Sequence, residues 1–176
     1  NIDSYYLPLK TALSKSKEDI LSELSKSGLR GRGGAGFPIA IKLEGCKKEN
    51  SAIKFIVCNA DEGDSGTFAD RILMEGDPFT LIEGMAIAAL AVGATKGFIY
   101  IRSEYPHAIA TMKEAIANAV AAGYLGDSIC GSGKAFHLSV RTGAGADEYH
   151  SIADGEGDFL AADLPEAADW ILRQKA

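Results

Sequence analysis

Two segments of the sequence combine residue types that suit a ligand with phosphate and sugar groups. The first, residues 28–36, contains five glycines and Arg32. Glycine lets main-chain N–H groups approach a phosphate without a Cβ in the way, and arginine adds charge-assisted hydrogen bonds. The second, residues 59–64, contains three carboxylates. Carboxylates this close repel one another unless hydroxyl or amide donors bind them, and sugar hydroxyls are such donors. The two segments together predict a site for a phosphorylated ligand.

Each segment also has a simpler interpretation. Gly31, Gly33 and Gly36 satisfy the pattern GxGxxG, but the loop follows a predicted helix and not a first strand, so the usual dinucleotide fold lacks its context. A flexible linker or a tight turn would have the same glycine content. The acidic residues could belong to a solvated surface loop. Neither segment is specific when taken alone.

The elements around these segments predict an α/β fold. Ser16 and Asp19 have the spacing of a capping box and Gly28 can supply a left-handed C-terminal cap, so residues 17–27 should form a helix. Short β-rich segments then alternate with helical ones. Strands are predicted at residues 53–58, 97–102 and 135–141, with helices from Pro78 to Gly93 and from Pro106 to Gly123.

This alternation predicts a layered parallel sheet with flanking helices, because β-α-β-α-β crossovers are right-handed and place helices on the sheet faces. Residues 53–58 are apolar on both sides, which is typical of a central strand in a covered parallel sheet. Ligands of such sheets lie beyond the carboxyl ends of the strands. Polar residues follow each predicted strand at that edge: Asn59, Asp61, Glu62 and Asp64 after the first, Arg102 and Glu104 after the second, and Arg141, Thr142 and Gly143 after the third.

The composition excludes several classes of function. A formal net charge of −6 and a pI near 5.1 disfavour a general attraction to nucleic acid or to an anionic membrane. Cys46, Cys58 and Cys130 are far apart, with no spacing of metal or iron–sulfur ligands, and no apolar stretch is long enough to cross a bilayer. Unpaired thiols and the absence of a secretory signal indicate a cytoplasmic location.

Longer motifs around these residues resemble a known family. They are GLRGRGGAGFP at residues 28–38, VCNADEGDSGTFADR at 57–71, the run from Met74 to Met85, YIRSEYP at 100–106 and GAGA at 143–146. In this order they resemble the flavin-binding subunit of NADH dehydrogenase, the 51 kDa subunit of respiratory complex I. The same module occurs in the diaphorase subunit of NAD-linked hydrogenases and in the beta subunit of NAD-dependent formate dehydrogenases, whose motifs are most similar. The resemblance covers about residues 18–146.

The resemblance implies roles for ten residues. Contacts to flavin mononucleotide (FMN) are implied for eight of them, while the other two would contact NADH, one by stacking and one by hydrogen bonding. The FMN residues are Gly31, Arg32, Gly33, Gly34, Lys42, Asn59, Asp61 and Glu62, and the NADH residues are Phe37 and Asp64. Lys42 could instead be a solvated surface lysine, and Phe37 could belong to the core, as a lone aromatic usually does.

The implied reaction is hydride transfer from C4 of the nicotinamide to N5 of the flavin, which needs no side chain as a general acid or base. In the complete family member, electrons continue to an iron–sulfur relay, and the implied partners are other subunits of an electron-transfer complex, including an iron–sulfur protein. The cysteines for such a relay are not encoded in this chain. The resemblance implies a modified Rossmann-like FMN/NADH-binding domain over residues 1–146, followed by a segment at 147–176 that is unlike the family, with one short helix expected near 165–174.

The sequence departs from the family pattern in ways that leave alternatives open. Where the family has Thr-Gly-x-Lys-Trp after the loop, this chain has residues 39–43, IAIKL, and so lacks an aromatic that borders the nicotinamide pocket. Residues 147–152, DEYHSI, replace Tyr-x-Cys-Gly-Glu-Glu, which supplies further flavin contacts. A non-catalytic assembly domain that has lost FMN is therefore one alternative function. A nucleotide-binding protein without flavin is another.

Overall fold

A computed structural model describes residues 5–32, 35–64 and 66–143 of the 176-residue chain. Six α-helices and three β-strands alternate in this part of the chain. The helices are α1 (Leu7–Leu13), α2 (Lys17–Ser27), α3 (Ile39–Lys48), α4 (Ala69–Gly76), α5 (Pro78–Val92) and α6 (Pro106–Ala121). The strands are β1 (Phe55–Ala60), β2 (Lys96–Arg102) and β3 (His137–Gly143), and a short 3₁₀ turn at Ile129–Gly131 precedes β3.

The three strands form one parallel sheet in the order β1-β2-β3. This confirms the predicted α/β fold with a parallel sheet and flanking helices. The prediction that the first strand is central was wrong, because β1 pairs only with β2 in the described part of the chain. An apolar sequence does not distinguish a central strand from an edge strand, since pairing is decided by the main chain. The Val57 side chain on β1 is correspondingly 42% exposed.

Helices α4 and α5 lie between β1 and β2 in the chain, and α5 forms the centre of the core. Its sequence is apolar nearly all round, as predicted for a buried helix. Ile82, Met85, Ala86 and Ala89 are buried together with residues of the sheet and of α6. Helices α1, α2, α3, α4 and α6 all pack against α5. The end of α5 is at Gly93, which adopts the left-handed conformation with φ +82°.

The predicted caps are confirmed, whereas several boundaries differ. Ser16 and Asp19 make the reciprocal hydrogen bonds of a capping box at the start of α2, and Gly28 is left-handed with φ +66°. Strand β1 begins and ends two residues later than predicted, because Asn59 and Ala60 still pair with β2. Similarly, β3 continues to Gly143, so that the polar residues expected to follow the second and third strands, namely Arg102, Arg141, Thr142 and Gly143, are the last residues of β2 and β3. The helix predicted at residues 165–174 lies outside the described residues.

Three helices, α1, α3 and α4, were not predicted from the sequence. In all three, the side chain of the N-cap residue makes no capping hydrogen bond. In α1 the main-chain N–H of Leu9 donates to the carboxylate of Glu83, 74 residues away, at 2.9 Å. In α4 the acceptor is the carboxylate of Glu62, outside the helix. Tertiary contacts thus provide what a local N-cap provides elsewhere.

Glu83 is the one buried charged side chain among the described residues. Burial raises the pKa of its carboxyl above the usual value, and the hydrogen bond from Leu9 opposes this effect. The folded state therefore holds a proton more tightly than the unfolded state does. The free energy of unfolding must fall as the pH rises from the ordinary glutamate pKa through the raised one.

The substitution Glu83→Gln should therefore stabilise the chain at neutral pH, because the glutamine side chain keeps a carbonyl acceptor for the Leu9 amide and carries no charge to bury. In contrast, Glu83→Ala should destabilise the chain by ~1–3 kcal/mol, because the Leu9 N–H loses its acceptor. Thermal unfolding of the wild type and both variants at neutral pH, and of the wild type over a series of rising pH values that starts at the ordinary glutamate pKa, measures both effects. Equal destabilisation by the two substitutions at neutral pH would contradict this account.

Candidate functional site

The glycine-rich segment is a loop whose two arms are bonded to each other. The N–H of Gly31 donates to the Phe37 carbonyl at 2.9 Å, and the N–H of Ile39 donates to the Leu29 carbonyl at 3.1 Å. The Arg30 guanidinium adds a bond to the Gly36 carbonyl at 3.0 Å. These cross-links close the base of the loop between α2 and α3. They favour a built loop over the flexible linker considered from the sequence.

The closed base determines which groups of the loop can meet a ligand. The Gly31 N–H already donates to the Phe37 carbonyl and is not available to a ligand. This residue can help a ligand to bind only by leaving space where a side chain would otherwise lie. Arg32 is exposed, and Gly36 is left-handed with φ +60°, a conformation that favours glycine. Gly33 and Gly34 lie outside the described residues. The Phe37 side chain is 49% exposed, which excludes the core position considered for it.

Lys42 lies on α3, shortly after the loop. Its side chain is exposed and makes no hydrogen bond or ion pair with the described residues. Helix α3 begins at Ile39, directly after the loop. Its C-terminal end is tied to the residues before β1 by the Lys54 ammonium, which donates to the Lys47 carbonyl at 2.6 Å. Helix α3 thus connects the glycine loop to the first strand of the sheet.

The acidic segment forms a turn at the carboxyl end of β1. Asn59 is still part of β1, opposite Tyr100, and its side-chain oxygen accepts a hydrogen bond from the Asp61 N–H at 3.2 Å. Glu62 has a positive φ of 46°, which is unusual for a residue with a side chain. The Asp64 side chain is exposed, and its carbonyl accepts a bond from the Thr67 N–H at 3.2 Å. We refer to residues 61–64 as the acidic turn.

The carboxylate of Glu62 is bound by the start of α4. Its two oxygens accept hydrogen bonds from the main-chain N–H groups of Asp70, at 2.8 Å, and Arg71, at 3.2 Å. Burial, followed by the charge of Glu62, raises the pKa of the Asp70 carboxyl. In contrast, the carboxylate of Asp61 accepts no hydrogen bond from the described residues. Two adjacent acids therefore have different surroundings.

Arg102, the last residue of β2, fixes the acidic turn from the other side. One guanidinium nitrogen donates to the Glu62 carbonyl at 3.1 Å, and another donates to the Glu104 carboxylate at 3.0 Å. The bond from Arg102 lowers the pKa of Glu104 to about 2. The guanidinium also lies 5.6 Å from the Tyr105 ring centre. Arg102 and Glu104 were placed at this edge from the sequence, whereas Tyr105 has no local signal that would reveal its role.

The end of β3 reaches the same edge. The N–H of Ser103 donates to the Gly143 carbonyl at 3.0 Å. A Cβ at Gly143 would collide with the Tyr100 hydroxyl, so a glycine allows this close approach. The carboxyl ends of all three strands thus meet around the acidic turn, as the position of ligand sites in parallel sheets requires.

The structure places Asn59, Asp61 and Glu62 side by side at the carboxyl end of β1, the edge expected from the sequence. No hydrogen bond or ion pair within residues 5–32, 35–64 and 66–143 joins the glycine loop to the acidic turn. The shared site for the two segments therefore stays a prediction.

A metal site, paired cysteines and a helix able to span a membrane are all missing from the described part of the chain. No three His, Cys, Asp or Glu side chains are grouped to hold a metal ion there. Cys46, Cys58 and Cys130 are all unpaired, and burial raises the pKa of the Cys58 thiol to about 11. None of the helices described is both long and apolar enough to span a membrane.

Comparison with known proteins gives consistent matches. The model of a family described as the Nuo51 FMN-binding domain matches residues 24–157. An NADH-quinone oxidoreductase subunit of Rhizobium meliloti is 51% identical over 142 residues, which are 80% of this chain and 34% of that protein. An NADP-reducing hydrogenase subunit of Solidesulfovibrio fructosivorans, HndC, is 46% identical over 151 residues, 83% of this chain and 31% of that protein. The chain thus spans about a third of the length of these relatives.

A solved structure agrees with the sequence matches. A crystal structure of an NAD+-reducing NiFe hydrogenase in its H2-reduced state is 38% identical, with a TM-score of 0.65. The similarity covers 77% of this chain and 22% of that one. The family match covers far more than half of the chain and includes both the glycine loop and the acidic turn. This chain therefore belongs to the family of the Nuo51 FMN-binding domain.

Proposed function

We propose that this chain is the FMN- and NADH-binding module of a larger electron-transfer complex, with NADH as hydride donor. The observation that carries the proposal is the acidic turn at the carboxyl edge of the parallel sheet, in a chain of an FMN-binding family. The unbonded carboxylate of Asp61 and the side chain of Asn59 suit the hydroxyls of a ribityl chain. The proposed domain extends over residues 1–146.

The proposed phosphate site is the glycine loop. Arg32 directly precedes Gly33 and Gly34 in the sequence, and Lys42 follows them on α3; both cations are exposed, and both can bond a phosphate. Gly31 would provide room only, since its amide is bonded to Phe37. This donor set fits FMN, which has one phosphate and a chain of hydroxyls. The bound flavin would supply the hydride acceptor.

The proposed NADH site lies on the exposed side of the same loop. Phe37 presents a half-exposed ring that can stack on a planar group, and Asp64 presents a carboxylate to hydroxyl donors. The protein's part in the reaction is to align the two ligands, because effective hydride transfer needs the reacting atoms roughly 3–3.5 Å apart. No general acid or base is required.

We further propose that the chain works in the cytoplasm with other subunits, including an iron–sulfur protein. The relatives named above are subunits of an NADH-quinone oxidoreductase and of a hydrogenase, which supports an assembly of this kind. The unpaired thiols support a reducing compartment. A non-catalytic assembly domain is the alternative, and flavin binding separates the two.

Titration of FMN into the chain, followed by flavin fluorescence, tests the flavin site. We expect binding in the micromolar range, since residues 147–152 replace a family segment that contacts FMN and each lost contact removes ~1–3 kcal/mol. Gly33→Val and Gly34→Val should abolish most of this binding, because each adds a branched Cβ where the phosphate is proposed to approach. Gly84→Val, on the exposed side of α5, is the matched control.

Three outcomes would contradict this account. Nanomolar affinity in the wild type would exclude a weakened site. Unchanged affinity in both loop variants would exclude the loop as the phosphate site. A colourless chain that binds no FMN but still binds partner subunits would favour the assembly-domain alternative.

Phe37→Ala tests the nucleotide site separately. Loss of the stacking ring should raise the KM for NADH by about tenfold and leave the affinity for FMN unchanged, because stacking contributes ~1 kcal/mol or more. The measurement is diaphorase activity with a soluble acceptor, using NADH and NADPH in parallel. A parallel loss of FMN affinity would place Phe37 in the flavin site, whereas an unchanged KM for both nucleotides would exclude the stacking role. Phe68→Ala, another exposed aromatic, is the control.

Metal analysis tests whether electrons can continue through this chain. The three cysteines lack the spacing of an iron–sulfur relay, so we expect the purified chain to contain neither stoichiometric iron nor labile sulfide. Diaphorase activity should then depend entirely on an added acceptor. Stoichiometric iron and sulfide would overturn the prediction.

A further inference from the structure

We propose that Glu62 and Arg102 act as a clamp that positions the acidic turn, and that the Glu62 carboxylate does not itself bind the flavin. This inference rests on the proposed function, because it concerns the FMN site. It assigns the two adjacent acids of the turn to different tasks. Asp61 would contact the ligand, while Glu62 would hold Asp61 and Asn59 in place.

Both oxygens of the Glu62 carboxylate are already hydrogen-bonded. Each oxygen accepts one main-chain N–H, from Asp70 at 2.8 Å and from Arg71 at 3.2 Å. These are N–H groups of the first turn of α4, which have no partner within the helix. The N-cap residue, Phe68, has an apolar side chain that cannot accept hydrogen bonds from these N–H groups. Turning the carboxylate toward a ligand would leave both amides without their acceptor.

The helix N-terminus also favours a negative charge at this position. The partial positive charge of the first turn attracts a carboxylate, and both oxygens of Glu62 are directed at it. If the Glu62 carboxylate turned to bind a ligand hydroxyl, it would exchange two charge-assisted hydrogen bonds for one. Bonding to the α4 amides is therefore more favourable for the Glu62 carboxylate than bonding to a ligand hydroxyl.

The main chain of Glu62 is held by a separate contact. Its φ of 46° is strained for a residue with a side chain, so surrounding contacts must maintain it. Arg102 provides one such contact, since its guanidinium donates to the Glu62 carbonyl at 3.1 Å across 40 residues of sequence. The carboxylate and the carbonyl of one residue are thus fixed by two different elements, α4 and β2.

Contacts with Glu104 and Tyr105 support the clamp. The Arg102 guanidinium is bonded to Glu104 and lies against the Tyr105 ring. Arg71, whose amide binds Glu62, places its guanidinium 5.5 Å from the centre of the same ring. Tyr105 therefore contacts both the α4 side and the β2 side of the clamp. The start of α4 and the end of β2 are held at a fixed separation around the acidic turn.

Asp61 is the acid that this arrangement leaves available. Its N–H is bonded to the Asn59 side chain, but its carboxylate accepts no hydrogen bond from the described residues. Its position depends on Asn59 in β1, on Glu62 in the clamp and on the attraction between its charge and the Arg102 guanidinium. Loss of the clamp should therefore displace Asp61 without removing any group that touches the ligand.

The test compares amide hydrogen exchange in the ligand-free chain with FMN affinity. In Glu62→Gln, one of the two amides, that of Asp70 or that of Arg71, loses its acceptor to an NH2 group and should exchange about tenfold faster or more, while the other keeps a neutral acceptor and should exchange somewhat faster. FMN affinity should fall by a similar factor. Asp61→Asn should reduce FMN affinity but leave those two exchange rates unchanged. Glu114→Gln, an exposed acid on α6, should change neither.

Arg102 is tested by rescue. Arg102→Met removes the bond to the Glu62 carbonyl and should lower FMN affinity, whereas Arg102→Lys keeps a donor and should recover part of it. Thermal unfolding of each variant shows whether it is folded. If Arg102→Met does not fold, the comparison of Arg102→Lys with the wild type still tests the clamp.

Two results would overturn the proposal. One is a Glu62→Gln variant that loses FMN affinity while the Asp70 and Arg71 amides exchange as in the wild type, since Glu62 would then act on the ligand directly. The other is faster exchange of those amides in the wild type when FMN is added, since the carboxylate would then leave α4. If the wild type binds no FMN, the proposed function fails. Exchange in the ligand-free chain then decides whether the clamp exists.

Discussion

The packing of α5 against the parallel sheet is the interaction on which the rest of the structure depends. This helix leads into β2, and every other α-helix in the described part of the chain contacts it. Its buried apolar side chains are those that join the sheet to the outer helices. Because burial of apolar surface is the main favourable term in folding, α5 sets where the outer helices can lie. Glu83 adds one polar link, from the middle of α5 to the start of α1.

The same packing places the candidate site at one edge of the sheet. Parallel strands joined by helices must all end at the same edge, so the polar residues that follow each strand converge. Here that edge contains Asn59, the acidic turn, Arg102 and Gly143. The network from Glu104 through Arg102 and Glu62 to α4 then fixes residues that lie far apart in the sequence. The acidic turn, which carries three carboxylates, is thus held by contacts with α4 and Arg102 and not by interactions among its own acids.

The acidic turn also illustrates how one residue type can serve two purposes within a site. Asp61 and Glu62 are adjacent acids, and a pattern of residue types treats them alike. Their surroundings differ because α4 approaches only one of them. A helix N-terminus satisfies the carboxylate of Glu62 and leaves that of Asp61 to other donors. The glycine loop shows a similar division, since the Gly31 amide closes the loop and only its neighbours remain for a ligand.

The sequence by itself determined the features that depend on local chemistry. The capping box of α2, the left-handed cap at Gly28, the end of a buried helix at Gly93, the three strands and the family resemblance were all predicted and are confirmed. Tertiary structure alone decided that β1 lies at the edge of the described sheet, since an apolar strand can occupy either position. It also decided the start of α1 and α4, whose capping carboxylates come from Glu83 and Glu62 in other elements. Local patterns report only on neighbours along the chain, whereas these contacts are made by residues that folding brings together.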